Sequence, residues 1–183
     1  MSSLAPKEQF NFRYDDGEIM VYPGEFIALS TGRREELSSS YSCDVSAVKT
    51  KGVDTCAGIG FYDQDGTWIL AHLNNEMWRD QDVLEGNLLE AFGTIGKFNY
   101  SQGSAVLGQP TQDRENLEPA SEYANEFRVD QRGKYGGLKI DHNGLEASQT
   151  EFFDKDDWTK DQHLEFRDTI RKVSAQDIYY KIT

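Results

Sequence analysis

Apolar positions along the chain fall into short runs divided by turn formers, and the runs read mainly as strands. Two come first, at 10–14 and at 19–22, the second continuing past Pro23-Gly24 to 26–29, with Asp15-Asp16-Gly17 as the turn between them. Residues 31–44 are polar and predict a loop with one helical turn at 34–37, and 45–48 predict a short strand. The clearest feature is a hairpin. Runs at 55–62 and 67–73 flank Asp63-Gln64-Asp65-Gly66, and Asp-Gly between alternating runs is a strong turn signal. Val83, Leu84, Leu88, Ala91, Phe92 and Ile95 then recur at helical spacing over 80–96, with Gly93 and Gly96 at the end.

A strand is expected at 103–107 and a helix at 113–127, broken near Pro119. A second hairpin pairs 138–140 with 145–148 through Asp141-His142-Asn143-Gly144. Asp156-Asp157-Trp158 opens a helix to about 173, whose ends carry the charges that suit a helix dipole, and 178–182 predict a terminal strand. There are no repeats. Strands and helices in this order predict a single α+β domain over 1–183, a layered sandwich of mainly antiparallel strands flanked by helices.

Charge and composition narrow the function. The chain has 183 residues and a formal net charge of −13. Nucleic acid and anionic membrane surfaces are therefore not expected partners, because both need clustered Lys and Arg. No apolar run is long enough to span a bilayer. Met1-Ser2-Ser3-Leu4-Ala5-Pro6-Lys7 contains no apolar signal core, so a cytoplasmic location is expected, with delivery as an effector left open. Cys43 and Cys56 are too few for a disulfide framework or a thiolate zinc site. Three scattered histidines predict no metal site, and no cofactor is expected.

The first hairpin carries the candidate chemistry. Opposite residues of an antiparallel pair have a constant index sum, and Cys56 and His72 share a face only if that sum is even. A three-residue loop Gln64-Asp65-Gly66, with Gly66 left-handed as a bulge, gives 130. His72 then lies opposite Gly58, with Cys56 diagonal to it at roughly 7–8 Å along the backbone. Loops of two or four residues would separate the two side chains. Gly58 and Gly60 are expected to leave the face beside the pair open. A thiol is mostly protonated at neutral pH, and a neighbouring imidazole can take its proton. The thiolate attacks an amide carbon, the imidazolium protonates departing ammonia, and water cleaves the thioester. The backbone N–H of Cys56 is the expected oxyanion donor.

The stretch Thr50-Lys51-Gly52-Val53-Asp54-Thr55-Cys56-Ala57-Gly58-Ile59-Gly60-Phe61-Tyr62-Asp63, followed by Ala71-His72-Leu73, resembles the active-site region of CheD, the chemoreceptor glutamine deamidases. The wider group includes the catalytic domain of cytotoxic necrotizing factor and the protein N-terminal asparagine amidohydrolase. The resemblance implies a CheD-like fold and deamidation of a protein glutamine or asparagine. It implies Cys56 as nucleophile, His72 as base and Thr50 as the residue that orients the histidine. The chain has Asp54-Thr55 where CheD has Gly-Ser, and Leu73-Asn74 where CheD has Leu-Pro. A non-catalytic adaptor, a transglutaminase and an N-terminal amidohydrolase remain open on the same residues.

Other residues are read more plainly. Asp54 is a turn former. His142 and His163 are exposed. Trp68 and Leu70 share the His72 face and pack in the core, with Trp68 as a candidate slot wall. Residues 133–137 form a loop, and Asp156, Asp157 and Asp161 start a helix.

Overall fold

A computed structural model of the chain describes residues 14–15, 17–21, 24–41, 44–53, 56–73, 78, 82, 84–86, 88, 100–107, 117–131, 136–148 and 179–182. The strands are β1 (Tyr14–Asp15), β2 (Glu18–Val21), β3 (Glu25–Leu29), β4 (Ala47–Val53), β5 (Ala57–Asp63), β6 (Trp68–Leu73), β7 (Tyr100–Leu107), β8 (Phe127–Gln131), β9 (Gly136–Asp141), β10 (Gly144–Ser148) and β11 (Tyr179–Ile182). The helices are α1 (Thr31–Tyr41) and a short α2 (Glu118–Ser121). Trp78, Asp82, Leu84, Glu85, Gly86 and Leu88 are also helical.

The strands form two sheets, β1-β2-β4-β9-β10 and β11-β3-β6-β5-β7-β8. Most pairings are antiparallel, while β2–β4, β3–β11 and β7–β8 are parallel. The sheets share one apolar core, in which Ile19, Val21, Val48, Leu138 and Ile140 of the first meet Ile27, Leu29, Trp68 and Leu70 of the second. Each large side chain buried there contributes about 1.5–3 kcal/mol. The other face of the six-stranded sheet carries a second core. Ile59, Phe61, Ile69 and Leu73 pack there against the helical Trp78, Leu84 and Leu88. β6 is therefore buried at every position, as a strand covered on both faces must be. No described helix is long and apolar enough to cross a membrane.

The first hairpin has the expected register. Gly58 pairs with His72, Gly60 with Leu70 and Tyr62 with Trp68, and Gly66 takes a φ of 82° in the turn. Asp63 and Thr67 close the loop by a backbone bond of 2.9 Å.

Several boundaries differ from expectation. Residues 31–41 form a full helix and not a loop, because tertiary bonds outweigh a serine-rich sequence of weak helix propensity. Arg34 donates to the carbonyls of Leu29 and Gly66 and lies 3.9 Å over the Trp68 ring, which pins α1 to the hairpin turn. The strand expected at 45–48 runs from Ala47 to Val53. Pro119 does not break a long helix but sits in the first turn of α2, where its missing N–H costs nothing. Part of 113–127 lies outside the described residues, and its last residue begins β8, which runs parallel to β7. The terminal strand is present as β11. The expected strand at 10–13, Asp16, Cys43, Asp54, Thr55, His163 and the helix at 156–173 lie outside the described residues, as do 133–135; Gly136 and Gly137 open β9.

Candidate functional site

β6 places His72 on its inner face, together with Leu70 and Trp68, because side chains alternate along a strand. Cys56 lies just before β5, two residues from Gly58, and packs with the same inner core. The two side chains thus share a face. Cys56 carries a free thiol and is buried, with 8 % of its surface exposed. His72 has no exposed surface.

Thr50 reaches this point from the opposite sheet. β4 runs parallel to β2 in a register that pairs Thr50 with Val21. The Thr50 hydroxyl donates to the Val21 carbonyl oxygen at 2.8 Å, and its oxygen lies 2.6 Å from His72 Nδ1. A hydroxyl has one proton. With that proton on the Val21 carbonyl, Nδ1 must be the donor to Thr50 and carry the ring hydrogen. Nε2 is then the basic nitrogen of a neutral ring. It is buried and has no hydrogen-bond partner among the described residues. Burial pushes the His72 pKa down to about 3, because a charged ring is costly in the apolar interior.

The face beside the pair is not open, contrary to the expectation drawn from its glycines. A Cβ at Gly58 would meet Leu138 Cδ1 and Thr50 Cγ2 at 3.3 Å each, and one at Gly60 would meet Leu145 Cδ1 at 2.6 Å. The absent side chains are replaced by the opposite sheet. That close approach is what lets Thr50 touch the imidazole.

The sequence reading did not single out Glu25. The β3–β6 register sets Glu25 directly opposite His72, and Glu25 is also fully buried. By alternation it shares the inner face with Ile27 and Leu29. A charged residue immediately before the apolar run at 26–29 was the available signal, but its burial depends on a pairing distant in sequence. Across three adjacent strands the inner face therefore presents Glu25, then His72, then Gly58 with Cys56 diagonal to it.

The other candidates lie elsewhere. Trp68 is core, held between Arg34 and the edge of the His142 ring at 5.2 Å, and His142 itself is exposed. A groove of about 420 Å³ lies beside them, lined by residues that include Thr31, Arg34, Asp44 and His142, and it does not include the Cys56–His72 pair. Among the described residues no group of His, Cys, Asp and Glu is arranged to hold a metal ion.

No protein-family model matches the chain. No curated protein matches it either.

Proposed function

We propose that the chain is a cysteine-dependent amidohydrolase that deamidates a protein glutamine or asparagine side chain, on a CheD-like fold. The observation that carries this reading is the 2.6 Å contact between Thr50 Oγ1 and His72 Nδ1. It fixes the tautomer and leaves Nε2 as the acceptor on the strand beside Cys56.

In this reading Nε2 takes the thiol proton of Cys56, and the thiolate sulfur bonds to the amide carbon. The carbonyl electron pair moves onto oxygen and returns as the carbon–nitrogen bond breaks. The proton on Nε2 goes to the leaving nitrogen, and ammonia departs. Water then gives a proton to Nε2 and adds to the thioester, and the thiol leaves with that proton restored. The balance is amide plus water to carboxylic acid plus ammonia. Thr50 is a positioning residue in this scheme, because a ring free to change tautomer would present a proton instead of a lone pair to the thiol. The thiol is buried at 8 % exposure, so substrate has to reach it through that small opening. The substrate is a protein side chain, the location is cytoplasmic, and no cofactor takes part.

The burial of His72 favours a second reading, a binding module that keeps the same scaffold without turnover. Ammonia release from glutamine- and asparagine-containing peptides separates the two. The amidohydrolase reading expects release by the wild type and none by a folded Cys56→Ala. A primary amine added to the assay tests for transglutamination, and peptides with N-terminal asparagine test for the N-terminal reaction. No release from any of these substrates, with Cys56 unreactive, leaves the binding module.

A further inference from the structure

The turn between β9 and β10 carries chemistry that the amidohydrolase reading does not use. Of the asparagines in the chain, Asn143 alone is followed by glycine. The hairpin register pairs Gly144 with Asp141, so His142 and Asn143 form the tip of the turn, and both are exposed. The Asn143 backbone N–H donates to Asp141 Oδ1 at 2.7 Å, which holds the main chain of the turn. The Asn143 carboxamide has no hydrogen-bond partner among the described residues. Gly144 has a φ of 115° and no Cβ to shield its nitrogen from the carboxamide one residue before it. β10 is an edge strand bonded to β9 alone, and Gly144 is its first residue. The end pair of an edge strand is among the least costly in a sheet to open.

We propose that Asn143-Gly144 is a self-modification site, at which the chain converts Asn143 to aspartate and isoaspartate through a succinimide. The Gly144 nitrogen loses its proton to solvent base and bonds to Asn143 Cγ. The carboxamide carbon–nitrogen bond breaks, and that nitrogen takes up a proton and leaves as ammonia. Water then opens the five-membered ring. Cleavage at Cγ gives aspartate. Cleavage at the main-chain carbonyl carbon gives isoaspartate, whose backbone is one methylene longer. The balance is carboxamide plus water to carboxylic acid plus ammonia, with solvent as co-reactant. Asn125 provides the contrast. It is also exposed, but Glu126 follows it, and a Cβ there crowds the attacking nitrogen.

The place of the turn gives the change a consequence. Leu145 comes next in the chain and fills the space over Gly60, while His142 stands edge-on to Trp68 with ring centroids 5.2 Å apart. A methylene added between His142 and Leu145 shifts both contacts out of register, so the isoaspartate form is the less stable one.

Incubation of the full chain at pH 8.5 and 37 °C over days, followed by peptide mass spectrometry, tests the site. Modification adds about one dalton at position 143, and fragmentation separates aspartate from isoaspartate. Asn143 is expected to change at least tenfold faster than Asn125. Wild type and a folded Cys56→Ala are expected to change at the same rate, each releasing at most one equivalent of ammonia from this position. Asn143→Gln, whose longer side chain does not close a five-membered ring, abolishes the signal. The isoaspartate fraction melts at a lower temperature than fresh protein. Modification of Asn143 no faster than that of Asn125, or only after the chain is unfolded, overturns the proposal. A rate that collapses in Cys56→Ala overturns it too, because the reaction would then belong to the thiol. Equal melting of the isoaspartate and fresh forms overturns the stated consequence. The reaction needs neither Cys56 nor added peptide, so its outcome is separate from that of the amidohydrolase reading, which calls for repeated turnover on peptides.

Discussion

Thr50 and His72 belong to different sheets, yet the Thr50 hydroxyl oxygen lies 2.6 Å from the imidazole Nδ1. The contact depends on Gly58, which faces both residues and leaves room for the Thr50 methyl. Replacing Thr50 by Val keeps the shape and removes the hydroxyl. The Val21 carbonyl and Nδ1 then lose their partner in the interior, which costs about 1–3 kcal/mol. Urea denaturation measures this loss. Ammonia release is expected to fall roughly 10–100-fold, in line with the general-base contribution to catalysis, while Thr50→Ser stays near the wild type.

Acid should destabilise the fold through His72. Its folded pKa of about 3 lies below the ordinary value of 6.5. Above pH 6.5 the ring is neutral in both states and contributes no pH dependence. Between pH 6.5 and 3 the unfolded chain binds a proton that the folded chain does not. Stability therefore falls as pH drops, by up to about 1.4 kcal/mol per unit and on the order of 5 kcal/mol across the window. Urea midpoints between pH 7 and 4.5 should show the slope, and His72→Gln should reduce it.

Gly60 marks the closest approach of the sheets. Its Cβ would lie 2.6 Å from Leu145 Cδ1, with Leu70 Cδ1 at 3.3 Å. Gly60→Ala forces Leu145 to another rotamer or parts the sheets, at about 1–3 kcal/mol. Thermal melting checks this, with Gly86→Ala as a control, because a Cβ there meets nothing within 4 Å.

Arg34→Met should loosen α1 from the hairpin. The guanidinium bonds two backbone carbonyls and covers Trp68. Its loss leaves those carbonyls without this donor and removes the cation–π contact, for about 1–3 kcal/mol. Far-ultraviolet circular dichroism and tryptophan fluorescence follow the two effects separately.

What the sequence revealed divides by distance along the chain. The hairpin at 57–73 was legible because its register is set locally. Asp65-Gly66 defines the loop, and parity then puts Cys56 and His72 on one face. Thr50 was reached through resemblance, since no local rule brings β4 of one sheet onto β6 of the other. Glu25 was missed for the same reason, because a Glu before an apolar run reads as a polar boundary until β3 is known to pair with β6. β8 could have been found. Phe127 and Val129 alternate with polar residues, but a helix assigned over 113–127 absorbed the first of them. Glycines misled in a different way. Gly58 and Gly60 read as open space, while the opposite sheet fills it. α1 has serines at three successive positions near its end and depends on Arg34, a contact the periodicity does not encode.

The account turns on whether Cys56 is a reachable thiol made reactive by His72. Native-state labelling at pH 7 with limiting iodoacetamide, read by peptide mass spectrometry, measures this directly. Cys56 is predicted to react at least tenfold faster than Cys43, and to lose that advantage in a folded His72→Gln. Equal labelling of the two cysteines, or labelling of Cys56 only after the chain is unfolded, would contradict it.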